Sequence, residues 1–194
     1  MKKTILFVLC VVTCLLLAMS VMADTQVPTT CQACNAQKTW TVMPESWKTL
    51  TEGHYHYYLD KNVTPGQLIT PSDVNVTICL DLNGYSIETN GRAMSLNSGT
   101  VLNLMDSSAG ETGAVCGTTG SNNTASGTIA MKKGCQFNLY SGTVKFSKDD
   151  VGLGMCRGVV GIESGSQMQM FGGKVEGCEL VTGTLTNQGT GGAI

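Results

Sequence analysis

Apolar and polar residues alternate in four short stretches of this chain, and the stretches read alike. Leu80-Asp81-Leu82, Leu102-Asn103-Leu104, Phe137-Asn138-Leu139 and Met168-Gln169-Met170 each set a polar residue between two apolar ones. A period of two marks a β-strand with one buried face and one wet face. Each stretch runs into turn-forming residues: Asn83-Gly84, Asp106-Ser107-Ser108, Ser141-Gly142 and Gly172-Gly173. Gly tolerates positive φ, and Asn, Asp and Ser bond back to their own backbone, so the pattern predicts short strands between tight turns.

Two of these stretches belong to longer copies. Residues 129–144 read IAMKKGCQFNLYSGTV, and residues 160–175 read VGIESGSQMQMFGGKV. Ile129 aligns with Val160, Met131 with Ile162, Gly134 with Gly165, Phe137 with Met168, Leu139 with Met170 and Val144 with Val175, always a step of 31. Earlier copies align Leu102 with Phe137, a step of 35, and Leu80 with Leu102, a step of 22. Recurring units of this size form stacks in which each unit buries its apolar side against its neighbours. The chain therefore predicts a β-solenoid with about three short strands per coil. A β-sandwich also uses short strands, but it does not require one strand's residue classes to recur at matching offsets. A helical repeat does not fit 24 glycines, each of which weakens a helix by about 1 kcal/mol.

Stacking gives the wet positions a meaning too. Tyr140 and Phe171 stand one step of 31 apart, with Met105 before them. Strands about 4.8 Å apart would stack the two rings. Such a column serves either as a platform for sugar rings or as a lateral stack that stabilises the wall. Asn103 and Asn138 would form an amide ladder between coils. The aromatic cluster Tyr55-His56-Tyr57-Tyr58 predicts a strand near the start with alternate rings inward, and Trp40 and Trp47 are expected to plug that same end.

The N-terminus carries an export signal: basic Lys2 and Lys3, an apolar run from Ile5 to Ala18, and Val21-Met22-Ala23 at the cleavage position. Removing Lys2 and Lys3 from 12 basic residues leaves 10 against 14 acidic ones, a net charge of −4. Nothing forms a basic patch for nucleic acid, and no segment after the signal is apolar enough to span a bilayer. The organisation expected is a signal peptide over 1–23, a cap-like region over 24–75 and coils over 76–194. Thr190-Gly191-Gly192-Ala193-Ile194 reads as the opening of a further coil, so the last coil is expected either to continue elsewhere or to self-associate through its uncovered face.

From Cys31 onward the chain resembles the secreted right-handed parallel β-helix surface proteins of gut bacteria, within the pectin-lyase-like superfamily. The carrying residues are Cys31-Gln32-Ala33-Cys34, Thr39-Trp40-Thr41, Tyr57-Tyr58-Leu59, VTICLDLNG over 76–84, VLNLMDSSAG over 101–110, and the FNLYSGTV and MQMFGGKV coils. The resemblance implies an all-β, right-handed parallel β-helix at the cell surface or secreted, in contact with glycans or a host surface and without a cofactor. Many parallel β-helices are polysaccharide lyases or glycoside hydrolases, which need acidic Ca²⁺ ligands with a base, or converging carboxylates. The candidates here are Asp149 and Asp150 with Arg157, and Asp81 with Asp106. The Gly-His-Gly and Arg-x-Lys motifs of polygalacturonases are missing. The leading expectation is therefore a non-catalytic adhesion or glycan-contact module, with a lyase or hydrolase fragment and a structural stalk as the alternatives.

Cys31-x-x-Cys34 and His54-x-His56 form the one candidate metal set, since thiolate and imidazole suit Zn²⁺ and residues two apart on a strand point the same way. A local disulfide, or two ordinary thiols, is the alternative. Seven cysteines follow Ala23, an odd number, so at least one is unpaired in a monomer: Cys31, Cys34, Cys79, Cys116, Cys135, Cys156 and Cys178. Cys79 fits the face opposite Leu80. N-terminal sequencing of the exported chain is expected to begin at Asp24; a chain that still begins at Met1 would refute the cleavage.

Overall fold

The structure is a computed structural model that describes residues 27–118, 127–147 and 159–177. The expected signal peptide over 1–23, Asp149, Asp150, Cys156, Arg157, Cys178 and the C-terminal Gly-Gly-Ala-Ile lie outside the described residues. Among the described residues every regular element is a strand, and no helix is long and apolar enough to cross a membrane.

A small antiparallel hairpin comes first, β1 (Thr30–Cys31) with β2 (Ala36–Gln37). All other pairing is parallel. One six-stranded sheet has the order β15 (Gln167–Met170), β12 (Gln136–Leu139), β9 (Thr100–Met105), β6 (Val76–Asp81), β4 (Gly53–Tyr58), β3 (Thr41–Val42). A second sheet orders β16 (Lys174–Glu176), β13 (Thr143–Ser147), β10 (Ala114–Thr118), β7 (Ser86–Thr89). A third orders β14 (Val160–Ile162), β11 (Ile129–Met131), β8 (Met94–Leu96), β5 (Leu68–Ile69). From β6 onward the chain visits the three parallel sheets in strict rotation. Within residues 24–75, β4, the bridge from Val63 to Ile87, and β5 already supply one strand or bridge to each sheet.

The 31-residue repeat is a structural register. Ile129 pairs with Val160, Met131 with Ile162, Phe137 with Met168, Leu139 with Met170 and Val144 with Val175. Gly134 and Gly165 take the same turn conformation, each with φ of 81°. The step of 35 also holds, pairing Leu102 with Phe137 and Leu104 with Leu139. The step of 22 does not. Leu80 pairs with Leu104 and Ile78 with Leu102, so the true step is 24. A slip of two residues keeps every side chain on its own face, which makes it invisible to the hydrophobic alternation.

The inward faces of the three sheets meet in one core. Ile78, Leu80, Leu102, Leu104, Phe137 and Leu139 from the long sheet pack with Ile87, Val115 and Val144 from the second and Met94, Leu96, Ile129 and Met131 from the third. Tyr55 and Tyr57 add their rings at the early end, stacked with centroids 5.7 Å apart. Trp47 is fully buried in this core. Trp40 is not part of it. It lies on the other face of the long sheet with Cys31, Cys79 and Met105, so the two tryptophans do not plug one end together.

Tight corners join the sheets. Gly142 and Gly173 stand at matching corners with φ of 81° and 73°. A Cβ on Gly173 would sit 2.7 Å from the Gly142 carbonyl oxygen, so both backbone angle and space demand glycine there. Asp81 and Asp106 also serve corners. Asp81 Oδ1 accepts from the Asn83 N–H at 2.8 Å and the Ser107 N–H at 3.0 Å. Asp106 Oδ1 accepts from the N–H groups of Gly84 at 2.8 Å and Ser108 at 3.1 Å, and its Oδ2 from the Gly113 N–H at 2.5 Å. Both carboxylates are engaged by backbone donors at these corners.

Asp81 Oδ2 is buried with no partner. Burial raises this carboxyl above its ordinary 3.8, so the folded chain holds the proton more tightly than the unfolded chain does. Its stabilising contribution is full below that ordinary value and is lost as the pH rises through the raised one. Asp81→Asn keeps an acceptor for Asn83 and Ser107 and removes the titration. The wild-type melting temperature should fall relative to Asp81→Asn as pH rises from about 4 to 7. Parallel curves across that window would refute the assignment.

Candidate functional site

The outer face of the long sheet is read along columns. His54 lies beside Thr77, and His56 beside Cys79, in the β4–β6 register. Cys79 lies beside Asn103 on β9, and Asn103 beside Asn138 on β12. One column thus runs His56, Cys79, Asn103, Asn138, Gln169. The next runs Tyr58, Asp81, Met105 along the paired strands and continues at the strand ends to Tyr140 and Phe171.

The hairpin folds over the early end of this face. Asn35 adopts a left-handed φ of 49°, and its N–H donates to the Gln32 carbonyl at 3.3 Å, closing the turn in Cys31-Gln32-Ala33-Cys34-Asn35. Asn tolerates this conformation through its short polar side chain. The turn turns both thiols toward β4 and β6. Cys34 Sγ lies 3.4 Å from His56 Nε2 and 3.6 Å from His54 Nε2. Cys79 Sγ lies 3.2 Å from His54 Nε2. The ligand atoms of Cys31, Cys34, His56 and Cys79 all fall within 4.8 Å of one another. The histidine rings stack with centroids 4.5 Å apart, and Trp40 meets His56 edge-on at 5.4 Å.

Cys31 and Cys79 are fully buried, while Cys34 is half-buried. Burial pushes the Cys79 thiol far up, and the neighbouring Cys31 raises it further. Burial likewise raises Cys31. Three thiols packed this closely cannot share negative charge without a cation among them. Burial lowers both histidines, with Lys38 adding to the effect on each and His54 on His56, which favours the neutral imidazole with one unprotonated nitrogen per ring.

A chain of amides ends on this cluster. Gln136 Nε2 donates to Asn138 Oδ1 at 3.1 Å, Asn138 Nδ2 to Asn103 Oδ1 at 2.7 Å, and Asn103 Nδ2 to Cys79 Sγ at 3.5 Å. All three donors point the same way, toward the sulfur. The expected amide ladder is present, and it feeds a thiol.

The structure thus brings Cys31, Cys34, His54 and His56 together and adds Cys79, which the sequence reading left out of the set. The slip of two residues put Asp81 in Asn103's column, where Cys79 stands. Aligning Tyr57-Tyr58-Leu59 with Leu80-Asp81-Leu82 would have placed His56 beside Cys79. Tyr140 and Phe171 stack with centroids 4.8 Å apart at an interplanar angle of 16°. Phe171 is 63% exposed, whereas Tyr140 packs partly onto the Cys79, Met105 and Trp40 group.

In the reduced, metal-free chain, a small alkylating reagent should label half-buried Cys34 before Cys31 and Cys79, read by peptide mass spectrometry; equal rates at the three would contradict the burial described. Comparison with known protein families, characterised proteins and solved structures returns no match to this chain.

Proposed function

We propose that the rotating strands are coils of a right-handed parallel β-helix of the pectin-lyase-like kind, and that the chain is an exported, non-catalytic surface module that contacts glycans. The observation that carries this reading is the aromatic step of Tyr140 and Phe171, with one ring held and the other 63% exposed on the outer face of the long sheet. An exposed ring on a rigid sheet offers an apolar face to the C–H side of a sugar at little entropic penalty. The strict rotation among three parallel sheets supports the β-helix, and the basic and apolar pattern of residues 2–23, read as an export signal, supports the location. The buried turn duties of Asp81 and Asp106 favour a binding module over an enzyme at that corner.

One observation favours the stalk instead. Tyr140 packs onto buried neighbours, as a ring would if the stack served only to stiffen the wall. Glycan-array binding of the full chain separates the two. Losing one aromatic contact worth about 1.4 kcal/mol corresponds to about tenfold in affinity. Phe171→Ala is therefore expected to weaken glycan binding about tenfold with little change in melting temperature. Absence of binding by the folded wild type, or binding unchanged in Phe171→Ala, would defeat the glycan reading.

A further inference from the structure

We propose that Cys31, Cys34, His56 and Cys79 form a closed, structural Zn²⁺ site that fastens the N-terminal hairpin onto the first strands of the long sheet. The donor set is three sulfurs and one imidazole nitrogen, the composition of structural zinc centres. Zinc bonds of about 2.3 Å to sulfur and 2.0–2.1 Å to nitrogen hold tetrahedral ligand atoms roughly 3.5–3.8 Å apart. The four atoms here already lie within 4.8 Å of one another, so closing round an ion needs shifts of about an ångström.

The surroundings fit a metal better than a disulfide. One disulfide among three sulfurs leaves the third as a lone thiol beside two imidazoles, whereas one cation engages all three. The ladder donor from Asn103 ends on Cys79 sulfur, as outer donors to metal-bound thiolates do. Trp40 and Met105 pack on the apolar side, against the buried Cys31 and Cys79. Zn²⁺ with three thiolates and a neutral imidazole carries a net charge of −1. Four protein ligands leave no open position, so the ion would hold structure and not catalyse.

The ligands come from separate segments, which gives the ion its task. Cys31 and Cys34 belong to a hairpin whose two strands are two residues each, and His56 and Cys79 lie on adjacent long strands. Such a hairpin has little pairing of its own, so metal binding would supply the energy that orders it. His54 stands beside the set, against Cys34 and Cys79, as a neighbour and not a ligand.

The test is titration of the reduced, metal-free full chain with Co²⁺ and then Zn²⁺. The expected result is one equivalent of cobalt with the visible bands and thiolate charge-transfer absorption of a tetrahedral site, displaced by one equivalent of zinc. Cys31→Ser, Cys34→Ser, Cys79→Ser and His56→Gln should each lose the spectrum, and Asn103→Ala should weaken binding about tenfold. His54→Gln and Cys116→Ser should keep full stoichiometry. Should a ligand variant fail to fold, hydrogen exchange on the wild type decides: zinc should slow exchange in residues 29–38. The proposal is overturned by any of four results: no uptake by the reduced wild type, a spectrum without thiolate bands, full binding by Cys79→Ser, or no zinc-dependent protection of residues 29–38. Loss of metal in His54→Gln but not in His56→Gln overturns the ligand set, and a Cys31–Cys34 disulfide in the exported chain overturns the zinc.

Discussion

In-register parallel pairing is the constraint on which the rest of this structure depends. Neighbouring strands lie about 4.8 Å apart, and a parallel register sets each residue beside its counterpart on the next strand. Side chains in one column therefore meet one another directly. Inward columns are mostly apolar, with Ile78, Leu102 and Phe137 in one and Leu80, Leu104 and Leu139 in another. The buried Thr100 beside Val76 meets its need by a hydroxyl contact with Thr70 at 2.8 Å. Outward columns must satisfy like beside like. Asn103 and Asn138 do so by donating in series, and Tyr140 and Phe171 by stacking faces.

The same constraint creates the thiol and imidazole cluster. A parallel register sets His56 directly beside Cys79, and a period of two sets His54 on the same face as His56. Once the hairpin lies over that face, its thiols have nowhere to go but against these groups. The apolar cover of Trp40 and Met105 then raises the penalty for any uncompensated charge, so the cluster is either neutral or bound to a cation. The amide column runs into the cluster from the other side, joining the ladder along the sheet to the chemistry at its early end.

How much of this was legible follows from what each signal can distinguish. Alternation separated inward from outward positions from Leu80 to Leu139, but it did not give their exposure. Outward Asp81, Asn103 and Asn138 are buried where a wet face was expected, and Met170, in the column of Leu139, is 48% exposed. The 31-residue copies are so similar that their register could be read residue by residue. The first step could not. Leu80-Asp81-Leu82 and Leu102-Asn103-Leu104 match in composition, yet the strands pair two residues out of that alignment. The pairing follows the longer run of apolar positions from Val76 to Leu82 instead. That single slip hid Cys79 from the metal set. Trp40 was legible as buried but not as belonging to the outer face, because the hairpin that covers it there comes from a contact distant in space and not from local pattern.

The steps between rows are 24, 35 and 31 residues, from Ile78 to Leu102 to Phe137 to Met168, yet each row advances by one strand. Among the described residues the connections vary more than the strands: residues 106–113 join β9 to β10, whereas residues 82–85 join β6 to β7. Insertions there are therefore silent to the stack: they alter neither the height of a row nor the column a residue occupies. A lineage carrying this architecture can vary what it displays at its corners without renegotiating what it buries, so the outline of the molecule is free to diverge while its interior stays under one rule.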